Sequence, residues 1–364
     1  MQKTQSRLLS GIPSVYLDTL RIAAALTVVL VHGQILLYHN ADPLHVGYDI
    51  SHAAVIVFFA LSGFVIAHTT STNNRGQKQY AQARLSRLYS VVLPALVLTA
   101  LIQGFVHAVN PELSSEFSRG ASWPRYILSA TFTNELWWIS AGPMINGVVW
   151  SLSYEFWYYV IFGLWIYRSG KWGILFPLLA CIVAGPKILL LMPIWVAGCL
   201  AYRLPRPSIP NWLAWALMAV SLGLGFLCLH LPVYPVKSGT PPLFYSSQFI
   251  SDWLIGFFIA LTLWLLPQGD QQAKQSTFVN GVRTIGDVTF PLYMLHVPLI
   301  VLMIALFGRS INYVLLITTV ITTAALLGLF LDNQRKHWVS FFKWVINELA
   351  TGLNTTKLRI LSKI

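Results

Sequence analysis

Charge is scarce in this sequence. Asp, Glu, Lys and Arg make up 10% of the 364 residues, against about 25% in an ordinary soluble domain. That excludes a water-solvated globule of this size. Cysteine is scarcer still: Cys181, Cys199 and Cys228 are odd in number and lie inside apolar runs. Neither a disulfide framework nor a metal-ligand spacing is present, so no metal is expected. Lys and Arg exceed Asp and Glu by 24 to 12, yet no basic stripe or DNA-binding pattern accompanies them, and nucleic acid is not an expected partner. No long internal repeat and no appended soluble domain interrupt the chain, which reads as one membrane domain over 1–332 followed by a tail, 333–364.

What is abundant is apolar sequence. Hydrophobic residues supply 56% of the chain and cluster in blocks of about 17–25, long enough to cross a hydrocarbon layer of about 30 Å as helices. Ten segments emerge, at 20–38, 51–68, 88–106, 148–167, 174–184, 188–202, 212–231, 249–266, 289–307 and 313–331. The expected fold is therefore all-α, a polytopic transmembrane helical bundle. The first block follows a weakly basic start, Lys3 and Arg7. It lacks a small-residue cleavage site and is too long for a signal core, so a retained helix is expected.

The fifth and sixth segments are short and divided by Gly185 and Pro186. Counting them as two puts Lys3/Arg7, Arg75/Lys78/Arg84/Arg87, Arg168/Lys171, Arg203/Arg206, Lys274/Arg283 and Arg335/Lys336/Lys343 on one face. The other face receives 39–50, without Lys or Arg, and 107–146, with three Glu and two Arg. The positive-inside rule then places both termini in the cytoplasm. Beyond Asp332, basic and aromatic residues alternate through Arg335, Lys336, Trp338, Phe341, Phe342, Lys343 and Trp344. That pattern suits an amphipathic helix on the cytoplasmic leaflet, in contact with membrane lipid.

A charge at bilayer depth costs at least ~2.5–3.5 kcal/mol, so an ionisable group inside a span needs a reason. Arg21 opens the first span and His32 follows eleven positions later. That is about 16 Å along the axis and close to three turns, so both point the same way. Glu155, in VWSLSYEFWYY, and His296, in PLYMLHVPL, sit among aromatics and Ser rather than charges. A carboxylate and an imidazole sharing a cavity are ingredients of general acid–base catalysis. Each has a plainer reading: His296 as a helix-packing histidine, Glu155 as an ion-pair partner of Arg21. His39, His45 and His52 fall at the outer rim, where solvation is expected. Ser62 and Gly63, in FFALSGF, suit close helix packing. Arg84 and Arg87, three apart before the third span, suit either membrane anchoring or a diphosphate.

These blocks, in this order, resemble the membrane acyltransferase-3 family, which modifies sugars of bacterial surface glycans and antibiotics. LDTLRIAAALTVVLVH is similar to its first-helix signature, with ten residues between Arg21 and His32. VIVFFALSGFVI, RLSRLY, WSLSYEFWYY and LYMLHVPL are similar to its later blocks. The chain departs from the pattern at Ile56 and Phe156, where many members carry carboxylates. The resemblance implies a stand-alone O-acyltransferase of the bacterial inner membrane, without the family's hydrolase-like module. It implies acyl-CoA, most often acetyl-CoA, as donor and a hydroxyl of a carbohydrate or glycolipid as acceptor. Arg21, Arg84 and Arg87 would bind the donor, His32 would act as base, and Glu155 would orient it or relay protons. Ser62, Trp150, Ser151, Tyr159, Tyr293 and His296 would support them. A proton-coupled secondary transporter is the alternative class that buried His, Glu and Arg also suit. The chain lacks the symmetric halves and paired broken helices of many carriers. A non-enzymatic scaffold would leave the buried charges without a role.

Overall fold

A computed structural model describes residues 9–38, 48–72, 76–267 and 277–361. Lys3, Arg7, His39, His45, Arg75 and Lys274 lie outside them. The described residues form helices and one 3-10 turn, with no named strand. The helices are α1 (Ile12–Tyr38), α2 (Ile50–Thr72), α3 (Gln77–Val109), α4 (Pro111–Glu116), α5 (Trp123–Ala130) and α6 (Trp150–Ile166). Then follow α7 (Leu175–Ala184), α8 (Pro186–Arg203), α9 (Asn211–Cys228), α10 (Phe249–Leu265), α11 (Thr277–Phe307) and α12 (Tyr313–Leu361).

Each of the ten apolar segments falls on a helix. Among the described residues, seven helices, α1, α2, α3, α8, α9, α11 and α12, are long and apolar enough to cross a membrane. α7 and α10 are apolar but shorter, at 10 and 17 residues, and α6 also has 17. Such a bundle needs a bilayer as solvent. α4 and α5 lie inside the stretch read as a loop. Pro111 opens α4, and the Asn110 side chain accepts the Leu113 N–H at 3.0 Å, a local cap that hydropathy does not register.

The sequence break between α7 and α8 is real. Gly185 has φ +80°, and a Cβ there would lie 2.8 Å from the Trp137 backbone, so loop 131–146 closes directly over the break. α2 and α8 touch backbone to backbone. A Cβ on Gly63 would meet the Trp195 carbonyl oxygen at 1.9 Å, and one on Gly198 the Ala60 oxygen at 2.0 Å. Small residues allow this approach where lipid supplies no hydrophobic drive between helices.

α1 packs against α2 and α11, and α3 against α11 and α12. Within α11, Pro298 cannot donate to the Met294 carbonyl four residues back. Asn146 fills the gap, its side-chain N–H donating to that oxygen at 3.0 Å. α12 runs through residue 332 without a break, and Trp338 and Phe342 face Tyr89 of α3, at 6.4 and 5.3 Å between ring centroids.

Candidate functional site

One internal cavity brings four of the predicted charges together. It encloses about 90 Å³ and is lined by Arg21, Arg84, Arg87 and Glu155, with Ser62, Ser151, Tyr159 and Tyr293 also in its wall. The helices explain the convergence: α1 and α3 contribute arginines from the end of the bundle where they begin, and α6 reaches that depth from the opposite end. Arg84 also lines a second opening, of about 430 Å³, with Tyr80, Tyr167 and Arg335. It thus stands at the junction of the two.

The cavity holds a surplus of positive charge. Arg21 is paired with Asp18 of its own helix at 3.1 Å, not with Glu155. Arg84 sits 6.0 and 5.9 Å from the ring centroids of Tyr80 and Tyr159, a cation–π arrangement. Its buried Nε has no hydrogen-bond partner among the described residues. Glu155 is held by neutral donors: the Ser62 and Tyr159 hydroxyls both donate to Oε1, each at 2.5 Å. Oε1 is therefore an acceptor in both contacts, whichever state the other oxygen is in. Trp195 of α8 donates its indole N–H to Ser62 at 3.2 Å. Ser62 therefore does more than pack. It ties α2 to α6, and Gly63 beside it supplies the close approach.

The two histidines do not share this cavity with Glu155. They meet each other instead, deeper along α1 and α11: His32 Nδ1 lies 2.8 Å from His296 Nε2, with ring planes 10° apart. His296 is fully buried and its Nδ1 lies 2.7 Å from the Tyr293 carbonyl oxygen. Tyr293 links the two places. Its ring lines the cavity, its hydroxyl meets Ser151 at 2.8 Å and the Val148 carbonyl at 3.1 Å, and its ring centroid is 6.0 Å from that of His296.

Trp150 lies elsewhere, stacked between His52 at 5.5 Å and Tyr245 at 4.3 Å. His52 corrects the expectation of a solvated rim histidine. It is 4% exposed, and its Nε2 donates to the Asp252 carboxylate at 3.1 Å. Tyr48 and Gln248 donate to the other oxygen of Asp252. Nearby, Lys187 donates to Glu135 at 2.7 Å and to the Ile139 carbonyl at 2.5 Å. Burial pushes the Glu135 carboxyl up to about 7, with the Lys187 ammonium opposing. Lys187 and Asp252 stand at the rims of apolar runs, and their partners are far away in sequence. Their type and position alone offered a weak signal. Ile56 and Phe156, the two departures from the family pattern, are ordinary packing here: Ile56 is fully buried and Phe156 stacks on Phe132 at 4.6 Å.

Helices this apolar, wrapped around a cavity with surplus guanidinium charge, define a multi-pass integral membrane protein with a cationic internal site. The chain belongs to the acyltransferase-3 family, whose acyltransferase domain pattern matches residues 14–331. It is similar to an O-acetyl transferase of Shigella phage Sf6, at 28% identity over 168 residues, or 42% of this chain and 47% of that protein. The aligned region thus spans about half the length of this relative. No solved structure matches the chain.

Proposed function

We propose that the chain is a membrane O-acyltransferase of the bacterial cytoplasmic membrane. It takes an acyl group, in the first instance acetyl, from cytoplasmic acyl-CoA to a hydroxyl of a surface or lipid-linked carbohydrate. The observation that carries this reading is the cavity's three arginines, balanced only by Glu155 in its wall and by Asp18 beside Arg21. A phosphate-bearing donor matches that surplus, because guanidinium forks suit phosphate oxygens. The O-acetyl transferase relative supports acetyl and oxygen as the transferred group and the receiving atom.

In this reading the helices cross ten times, α7 and α8 making two short or tilted crossings, with both termini cytoplasmic. Reporter fusions at Lys171 and Lys336 should then read inside and one at Asn110 outside. The basic tail rests at the cytoplasmic side. Arg84 and Arg87 receive the donor's phosphates, with Arg21 at the inner mouth, and the pantetheine arm carries the thioester toward His32. His32 accepts the acceptor's hydroxyl proton as the oxygen attacks the thioester carbonyl. The C–O bond forms, the C–S bond breaks, and the leaving thiolate takes that proton. Glu155, fixed by Ser62 and Tyr159, orients the donor end or relays protons.

The test pairs a gene deletion with purified enzyme. Mass spectrometry of cell-surface glycans should show a loss of acyl mass on deletion, restored by the wild-type gene and not by His32→Ala. Purified protein in vesicles should release CoA thiol from acetyl-CoA when extracted glycolipid is added. Solute uptake driven by a proton gradient, without thiol release, would establish a transporter instead.

A further inference from the structure

We propose that His296 is a positioning residue that fixes the tautomer of His32 so that Nε2 is bare and available as the base. This rests on the reading of His32 as base, but its structural part stands separately. The chain of deduction starts at a backbone carbonyl, which can only accept. His296 Nδ1 lies 2.7 Å from the Tyr293 oxygen and 3.2 Å from the Leu292 oxygen, so it carries the proton. A neutral imidazole has one N–H, which leaves His296 Nε2 a lone-pair acceptor. His32 Nδ1 sits 2.8 Å from that atom. Two lone pairs cannot face each other at this distance, so His32 Nδ1 bears the hydrogen and donates it. The remaining nitrogen of His32, Nε2, then has a lone pair and no partner among the described residues.

A second proton on the pair would reverse the outcome, because a doubly protonated His296 would donate toward His32. That places an unpaired positive charge on a side chain that is 0% exposed, with no carboxylate touching either ring among the described residues, at a large desolvation cost. The neutral arrangement is therefore the one this site holds. Its logic is that of any base oriented by a third group. Here the orienting group is an uncharged imidazole, itself fixed by main chain, which sets the tautomer without adding charge.

Nitrogen-15 NMR of the full-length protein in lipid, with labelled histidine, reads the tautomer directly. The His32 signals are identified by their loss in His32→Ala. Wild type should show His32 protonated at Nδ1 and bare at Nε2. His296→Phe keeps a ring but removes the acceptor, and should shift His32 toward the Nε2-protonated form. Its turnover should fall about 10–100-fold, the scale for losing a group that orients a working one, with donor KM unchanged. His296→Gln, whose amide oxygen can accept from Nδ1–H, should recover most of the loss. An Nε2-protonated His32 in wild type would overturn the proposal. So would full turnover in His296→Phe, or a Gln variant as impaired as Phe. If Phe fails to insert, the wild-type spectrum and the Gln variant still decide. Undiminished turnover in His32→Ala would sink the base reading while leaving the measured tautomer to be judged by the spectrum.

Discussion

Two sets of buried charges lie within the bundle, and they are built differently. Around the cavity, Arg21, Arg84 and Arg87 face Glu155 with space between them, and Arg84 keeps a buried N–H without a partner among the described residues. In the second set, Lys187 is closed onto Glu135 and His52 onto Asp252, each pair further tied by neutral donors or acceptors. Both sets violate the apolar pattern of a membrane protein. Only the first leaves electrostatic capacity unspent. A buried charge is thus a weak mark of function by itself, and a buried charge beside an opening with an unmet donor is a strong one.

The sharpest way to break this comparison is His32→Ala. If the chemistry runs from the open cavity toward the histidine pair, the variant should insert, bind acyl-CoA normally and lose about 10²–10⁴-fold in turnover, the range for a positioned base. Near-normal turnover with intact donor binding would leave Glu155 as the leading base and confine the chemistry to the cavity.

The closed pairs should respond in the opposite sense. Lys187→Ala or Glu135→Ala leaves one buried charge uncompensated and should cost about 3–5 kcal/mol of stability, whereas an apolar replacement of both partners should recover much of it. Thermal unfolding in detergent measures this, and turnover per folded molecule should hold. A stable Lys187→Ala protein with lost turnover would move that pair into the working site.

The difference between the two sets also marks what the sequence can disclose. The helices were legible because twenty apolar residues in a row have few other solutions, and the break at Gly185 and Pro186 was legible because backbone chemistry is local. Arg21, Arg84, Arg87 and Glu155 stood out as costly residues inside or beside apolar runs, and the cavity gathers all four. Pairings were not legible. His52 looked like a rim residue because its partner, Asp252, lies 200 positions away, and His32 and His296 are separated by 264. Ser62 was read for its size, since nothing in FFALSGF announces a hydrogen bond to a carboxylate 93 positions on. Short α4 and α5 escaped because six or eight residues carry too little periodicity.

A middle-sized effect tests the open cavity itself. Arg84→Ala with Arg87→Ala should raise the donor KM more than the acceptor KM, each lost charge-assisted contact being worth ~1.5–3 kcal/mol. Lys at either position should rescue only in part, because an ammonium lacks the guanidinium fork. An unchanged donor KM with normal expression would reassign both residues to membrane anchoring and remove the contrast between the two sets.

The smallest effect asks whether the cavity depends on how closely its helices pack. Gly63 lies next to Ser62 on α2, and an added Cβ would sit 1.9 Å from a backbone oxygen of α8, which no rotamer change can relieve. Gly63→Ala should therefore force the two helices apart at a cost of about 1–3 kcal/mol, the usual penalty for overpacking. The same displacement lengthens the Ser62 contacts to Trp195 and Glu155, so turnover should fall together with stability. Gly223→Ala on α9 is the matched control, because nothing lies within 4 Å of its added methyl group. By helix propensity alone it should be neutral or stabilising by up to ~1 kcal/mol. If Gly63→Ala loses stability but keeps full turnover, Ser62 does not need its present distance from Glu155, and the carboxylate is positioned by Tyr159 alone.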